Sequence, residues 1–267
     1  MTGKGRELNI LWLWPDILSQ HGDRGNVMAL VRICGLYGIE ARVTRVNRLT
    51  DKFDLDKADM AILGAGELSV VPRIVGALSG EKFMDLKAWT KSGGVLFATG
   101  TTGAALGVQT FRLDGSFIFG TGLLDMECRE RKEVLGDDLI YQTSDNNYVY
   151  GIQIHMIDID LAPVQKPFGE TVYGYGNNGG KAEGAIQDNV IFTNALGPVL
   201  VKNPWLTLDL INRALAGHDN DGFSDLHPSL FKAGPGGALS FDPNLFKLEL
   251  ESAEAIRIFN DKKEKPK

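Results

Sequence analysis

The sequence predicts an α/β protein with a mixed, mostly parallel sheet and helices on both faces. Strand and helix signals alternate over the first hundred residues, and this alternation implies parallel strands joined by crossover helices. The chain has 267 residues, of which 43% are hydrophobic and 23% are charged, as in an ordinary globular protein. A chain of this length can bury roughly three quarters of its unfolded surface in one large domain or two small ones.

Apolar runs and glycine stops place the first elements. We predict strands where buried apolar runs occur, over residues 8–14, 41–46, 60–63 and 95–98. A first helix over 24–38 is indicated by apolar residues at the i, i+3, i+4, i+7 spacing, namely Val27, Leu30, Val31 and Cys34. A second helix is predicted over 82–92, where Ser92 and two glycines stop it.

The pattern of apolar and turn-forming residues changes after Gly107. Short β-rich runs with Gly and Asn punctuation fill 117–195 and predict antiparallel or mixed strands that extend the sheet. A helix over 204–215 begins at Pro204, and a last helix follows Pro243 after a Gly- and Pro-rich loop. We therefore expect one domain over 1–216 and a loop with a C-terminal helical extension over 217–267.

Composition excludes several functional classes. The chain carries 28 Lys and Arg against 34 Asp and Glu, a formal net charge of −6, which argues against non-specific nucleic-acid binding. The two cysteines, Cys34 and Cys128, cannot build a disulfide framework or a four-sulfur zinc site. The opening apolar run of about seven residues, interrupted by Asp16, is too short for a signal peptide or a membrane span. We expect a cytoplasmic protein with no membrane insertion, no cofactor and no metal.

Two glycine-containing segments follow predicted strands, where ligands bind in open α/β sheets. In the segment His21–Asn26, free backbone N–H groups before a helix suit an anion, and Arg24 adds a carboxylate-binding fork. The alternative is a plain helix cap in which Asp23 accepts helix N–H groups. Gly64 and Gly66 either let the backbone approach a ligand or make a tight turn.

The third segment, residues 96–107, has the layout of a nucleophile elbow. A buried strand runs into Thr-Gly-Thr-Thr-Gly and then into small helix-forming residues. Such an elbow holds its nucleophile on a strained turn, with free amides nearby to bind an oxyanion. The residue at the apex of this elbow is Gly100.

Several separated motifs resemble the class I glutamine amidotransferases, in the subgroup with cobyric acid synthase-type domains and GatD-like glutaminase subunits. The motifs occur in the family's order: Trp14-Pro-Asp-Ile-Leu18 with residues 22–26, Gly64-Ala-Gly66, and a block from Tyr175 to Pro204. The resemblance covers about residues 8–215 and implies a flavodoxin-like fold. It also implies a MurT-like partner, an ATP-dependent subunit of the Mur-ligase family that acts in the amidation of lipid II, a cell-wall precursor.

The departures from the family pattern concern the catalytic dyad. The family has its nucleophilic cysteine where this chain has Gly100, and its histidine where this chain has Leu196. Nucleophilic catalysis needs an activated thiol or hydroxyl beside a base, so the loss of both implies no glutaminase activity. The resemblance thus implies a catalytically inactive binding or structural subunit. The ligand-binding candidates are Asp23, Arg24, Gly64, Gly66, Thr101 and Asn177.

Two other functions are left open by the residues. An active amidotransferase would need a relocated nucleophile, either Cys128, whose thiol pKa Arg129 and Arg131 would lower, or a threonine acting with His155. The threonines that flank the apex are Thr99, Thr101 and Thr102.

A repurposed sensor or assembly component is the other alternative. It would use the C-terminal helix, whose apolar residues either dock on another chain or pack on the chain's own domain. Those residues are Leu245, Leu248, Ile256 and Phe259. The loop before that helix carries His218 and His227 among Asp219, Asp221 and Asp225, a spacing that matches no strong metal motif and indicates a solvated loop.

Overall fold

The computed structural model describes residues 6–216 and 239–263. The described strands are β1 (Glu7–Leu13), β2 (Glu40–Val46), β3 (Met60–Leu63), β4 (Val95–Thr99), β5 (Gln109–Phe111), β6 (Phe117–Phe119), β7 (Met126–Thr143), β8 (Tyr148–Leu161), β9 (Gly169–Tyr173), β10 (Ala182–Glu183), β11 (Ala185–Gln187) and β12 (Val190–Thr193). The described helices are α1 (Arg24–Leu36), α2 (Val71–Leu78), α3 (Glu81–Lys91), α4 (Gly103–Leu106), α5 (Val199–Lys202), α6 (Pro204–Ala216) and α7 (Lys247–Lys263).

The first sheet has the strand order β11-β12-β4-β3-β1-β2. All neighbouring strands in it are parallel except β11, which runs antiparallel to β12. This arrangement confirms the predicted α/β class. Because the carboxyl ends of parallel strands meet at one edge, the segments after β1, β3, β4 and β12 converge there.

Helices cover both faces of the first sheet. Alternate residues of β1 point to opposite sides: Ile10 packs with α1 and α6, whereas Leu11 packs with α2 and α3. Strands β3 and β4 are buried along their whole length, as expected for strands covered on both faces. Helix α2, which carries a proline in its first turn, was missed by the sequence analysis.

The strands after residue 107 mostly form a second sheet, so the prediction that they extend the first one is wrong for β5 to β10. The second sheet has the order β10-β9-β7-β5-β6, with β8 paired to β7. Along β8, buried and less buried residues alternate, as they do when one face of a sheet is covered. The covered face carries Cys128, Ile157 and Ile159, which lie in the same core cluster as Leu63 of the first sheet. Only β11 and β12 join the first sheet.

The C-terminal helix predicted after Pro243 is confirmed, and a single 3-10 turn over Pro243–Phe246 precedes it. The segment packs on α1: the Tyr37 hydroxyl donates to the Ser240 carbonyl at 2.8 Å, and Arg32 pairs with Glu249 at 2.8 Å. Phe246 is 0% exposed, and its ring stacks on that of Phe241 at 5.1 Å. The described part of the extension is therefore anchored to the domain.

Three residues of the apolar stripe predicted for this segment are exposed: Leu245 (39%), Leu248 (77%) and Phe259 (56%). The buried contacts with the domain are made instead by Phe246 and Asn260. Ile256 is half-buried. Among the described helices, none has the length and apolar character that a membrane crossing requires.

The buried anchor of the extension can be tested by truncating Phe246. Phe246→Ala should lower the free energy of unfolding by about 3–5 kcal/mol, because it removes a fully buried ring from a packed site. Leu248→Ala, on the exposed side, should change it by less than about 0.5 kcal/mol. Urea unfolding followed by circular dichroism measures both. Equal, small effects would show that the extension does not contribute to domain stability.

Candidate functional site

The predicted elbow forms at the carboxyl end of β4. Strand β4 ends at Thr99, a 3-10 turn covers Gly100–Thr102, and α4 begins directly after it. Gly100 has φ +62°, in the left-handed region that disfavours residues with a Cβ atom. The chain thus keeps the strained strand–turn–helix geometry of an elbow with a glycine at its apex.

The space next to this apex is filled by apolar side chains. A Cβ atom on Gly100 would lie 3.0 Å from Ala65 Cβ and 3.1 Å from Leu196 Cδ2. Gly100 is buried and Leu196 is only 2% exposed. The two positions that the resemblance assigns to nucleophile and base are therefore adjacent. They hold a hydrogen atom and a leucine, so this pair can neither attack a carbonyl nor move a proton.

The turn with Gly64 and Gly66 packs tightly against two other segments. A Cβ on Gly66 would lie 2.7 Å from the Ile17 carbonyl oxygen, and one on Gly64 would lie 2.8 Å from Asp23 Cβ. The Gly66 N–H donates to Thr101 Oγ1 at 3.1 Å, and the Thr101 hydroxyl donates back to the Gly66 carbonyl. The amide that could serve an incoming ligand is bonded to Thr101 instead.

Asp23 is a buried acidic residue in contact with this turn. It is 2% exposed, and it accepts hydrogen bonds from Thr99 Oγ1 at 3.0 Å and from the His21 N–H at 3.4 Å. Burial raises the pKa of the Asp23 carboxyl, and the bond from Thr99 partly offsets that rise. Asp23 is the N-cap residue of α1, as the helix-cap interpretation predicts, but its side chain accepts no helix N–H.

The structure brings Asp23, Gly64, Gly66 and Thr101 together around Gly100. The side chains of the other two candidates have different surroundings. Arg24 opens α1 with an exposed side chain. Asn177 is fully buried, and its side-chain oxygen accepts from the Gly184 N–H and from Asn194 Nδ2, both at 2.8 Å.

Glu183 is a buried carboxylate whose role the sequence analysis missed. It accepts hydrogen bonds from Thr193 Oγ1 at 2.8 Å, from the Asn194 N–H at 2.8 Å and from Asn194 Nδ2 at 2.9 Å. Burial raises its pKa, and the bonds from Asn194 oppose that rise. Since Asn194 lies two residues before Leu196, this network fixes the chain that delivers Leu196 to the elbow. The feature of the sequence that could have pointed to Glu183 is the position of an acidic residue between short β-rich runs.

His155 is buried, and the hydrogen bonds of its ring involve Gln153 and Asn177. Its Nε2 lies 3.1 Å from the Asn177 carbonyl oxygen, and its Nδ1 lies 3.2 Å from Gln153 Nε2. Burial lowers the pKa of His155 to about 4, so the ring is neutral at pH 7. Thr102 donates to the Thr99 carbonyl at 2.8 Å. The hydrogen bonds of these threonines give no support to a Thr–His hydrolase.

Cys128 does not have the character of a relocated nucleophile. Its side chain is fully buried, and burial raises the pKa of the thiol to about 12. The expectation that Arg129 and Arg131 lower that pKa is wrong, because these cations pair with Asp160 and Asp158 on the other face of the strand. Cys34 is buried in the core stripe of α1, as the helical spacing predicted.

No group of three or more His, Cys, Asp or Glu side chains within residues 6–216 and 239–263 could hold a metal ion. His218, His227 and the aspartates near them lie outside the described residues.

The fold and the elbow are similar to those of a glutamine amidotransferase. A solved glutamine amidotransferase matches with a TM-score of 0.51 and 16% identity, covering 76% of this chain and 98% of that one, which supports the fold. No protein-family model matches the chain.

Curated relatives narrow the class. The chain is 29% identical over 212 residues to the lipid II isoglutaminyl synthase (glutamine-hydrolyzing) subunit GatD of Streptococcus pneumoniae, with 78% of this chain and 81% of that protein covered. It is 27% identical over 218 residues to the corresponding subunit of Staphylococcus aureus, with 78% and 84% covered. The chain is therefore similar to GatD subunits over about 78% of its length.

Gly100 offers a test of the filled elbow. Gly100→Ala should lower the free energy of unfolding by about 2–4 kcal/mol, because it adds left-handed backbone strain to a steric contact with Ala65 and Leu196. Gly115→Ala is the matched control. Gly115 also has a positive φ, +84°, but an added Cβ there meets nothing within 4 Å. Gly115→Ala should therefore lower the free energy of unfolding only by the cost of the left-handed backbone conformation, about 1–2 kcal/mol.

A second variant isolates the contact with Leu196. The Gly100→Ala/Leu196→Ala double variant removes the contact with Leu196 and leaves the one with Ala65. Its cost should therefore be at least about 1 kcal/mol less than the sum of the single costs. Denaturant unfolding of the four proteins gives this coupling. Strict additivity would mean that Leu196 does not fill the apex.

Proposed function

We propose that this chain is a catalytically inactive GatD-like subunit, and that it serves as the binding or structural partner of a MurT-like, ATP-dependent ligase. The complex would act in the amidation of a cell-wall precursor in the cytoplasm. The ligase would carry the ATP-dependent chemistry, and this chain would hold it without supplying ammonia from glutamine.

The proposal of inactivity rests on the close packing of Ala65 and Leu196 against Gly100 at the apex of the elbow. Hydrolysis of an amide needs a nucleophile with room for the substrate carbon and a base within hydrogen-bond reach. Here the apex has no side chain, and apolar atoms lie about 3 Å from the point where one would begin. The hydroxyl groups of Thr101 and Thr99, next to the apex, already have hydrogen-bond partners. Thr101 accepts from the Gly66 N–H, and Thr99 donates to the Asp23 carboxylate.

The relatives support the proposal of a ligase partner. Both are subunits of a lipid II isoglutaminyl synthase, and this chain covers more than four fifths of each. The scaffold that carries the elbow is kept around the changed positions, for example by the bond from the Leu200 N–H to Asn26 Oδ1 at 2.9 Å. Maintenance of the fold without the dyad is expected if selection acts on binding.

The partner can be sought directly in the native host. A tagged full-length chain should co-purify, in about equimolar amount, with a protein that mass spectrometry identifies as an ATP-dependent ligase of the Mur type. Purification from an untagged strain is the control. The two purified proteins should then form a complex whose mass is that of one copy of each. Recovery of the tagged chain without any ligase, from cells that express one, would contradict the proposed partnership.

A further inference from the structure

Two backbone amides beside the apex of a nucleophile elbow bind the negative charge that forms when a carbonyl carbon is attacked. One amide belongs to the residue after the apex, and the other comes from a neighbouring loop. In this chain the residue after the apex is Thr101, and the neighbouring loop is the turn Gly64–Gly66, whose Ala65 lies against Gly100. Elbow geometry would therefore assign the oxyanion to the amides of Thr101 and Gly66.

The Thr101 side chain already holds the Gly66 amide. The Gly66 N–H donates to Thr101 Oγ1 at 3.1 Å, and the same hydroxyl donates to the Gly66 carbonyl. Both residues are buried, and Thr101 is 7% exposed. A backbone N–H is a single donor, so an amide that is bonded to a hydroxyl oxygen is not available to the oxygen of a substrate.

The other two threonines of the elbow have different partners. Thr99 donates to Asp23 Oδ1 at 3.0 Å, and Thr102 donates to the Thr99 carbonyl at 2.8 Å. All three threonines are buried, so burial does not distinguish them. What distinguishes Thr101 is that its hydroxyl accepts the N–H of Gly66.

We propose that the Thr101 hydroxyl occupies the position that a substrate oxyanion would take, and that it keeps the elbow closed in addition to the missing dyad. A carbonyl group brought to the apex would develop its negative charge without the Gly66 donor. The loss of one such donor costs roughly 10²–10³ in rate. The inference rests on the proposed inactivity, and it adds Thr101 to the two positions, Gly100 and Leu196, that maintain it.

Restoration of the dyad with and without the hydroxyl tests this role. The background variant carries Ala65→Gly, Gly100→Cys and Leu196→His, which supply room, a thiol and a base at the apex. In this background Thr101→Ala should raise kcat/KM for ammonia release from glutamine by about 100-fold or more. Thr101→Ser keeps the hydroxyl and should leave kcat/KM at the background value. Circular dichroism verifies that the variants fold.

Two results of this experiment would overturn the inference. One is a background variant as active as its Thr101→Ala derivative, and the other is the absence of ammonia release from both. The wild-type full-length chain, assayed with and without its ligase partner, separates this inference from the proposed function. Ammonia release by the wild-type chain would contradict the proposed inactivity, whereas equal rates in the two variants would contradict only the role of Thr101.

Amide hydrogen exchange examines the same contact in a chain with the apex unchanged. In Thr101→Val the Gly66 N–H has lost its acceptor, so it should exchange about tenfold faster or more, whereas Thr101→Ser should leave it protected. The Leu200 N–H, which donates to Asn26 Oδ1 at 2.9 Å, is the reference for changes in global stability. If the Gly66 amide in Thr101→Val exchanges as slowly as in the wild type, relative to that reference, the inference is wrong.

Discussion

The close approach of three turns at the carboxyl edge of the first sheet is the constraint on which the rest of the site depends. The turn Gly64–Gly66 lies between the chain that follows β1 and the elbow that follows β4. Side chains at its two glycines would collide with the Ile17 carbonyl and with Asp23. Ala65 is thereby held against Gly100, and the two hydrogen bonds between Gly66 and Thr101 fix the distance between the turns. Backbone contact of this closeness leaves glycine as the residue that fits.

This packing accounts for the absence of a nucleophile and a base at Gly100 and Leu196. An elbow makes a nucleophile reactive by exposing it on a strained turn beside a base and free amides. Here the strain remains at Gly100, but Leu196 fills the adjacent space and the Gly66 amide is bonded to Thr101. The Glu183 network continues to hold the chain before Leu196, although no base is delivered there. The elbow scaffold is thus present without a nucleophile or a base at these two positions, which supports the proposed binding role.

Local sequence signals were sufficient for the first sheet and the elbow, because apolar runs, glycine stops and helical spacing are short-range. They predicted β1 to β4, α1 and the apex at Gly100. They did not show that β5 to β10 form a separate sheet, since strand partners are set by contacts between distant residues. The same limit applies to the site. The burial that raises the Cys128 pKa depends on the packing of residues that are far apart in the chain. The hydrogen bond from Thr99 to Asp23 likewise joins distant residues.

The nitrogen source of the reconstituted complex tests the central claim most directly. The chain and its ligase partner, with ATP and the lipid-linked acceptor, are supplied either with ammonium or with amide-labelled glutamine, and the amidated product is quantified by mass spectrometry. If the subunit is inactive, the complex should form amidated product with ammonium but no product above background with glutamine. Labelled product formed from glutamine would contradict the claim. It would show that a residue other than Gly100 acts as the nucleophile in glutamine hydrolysis.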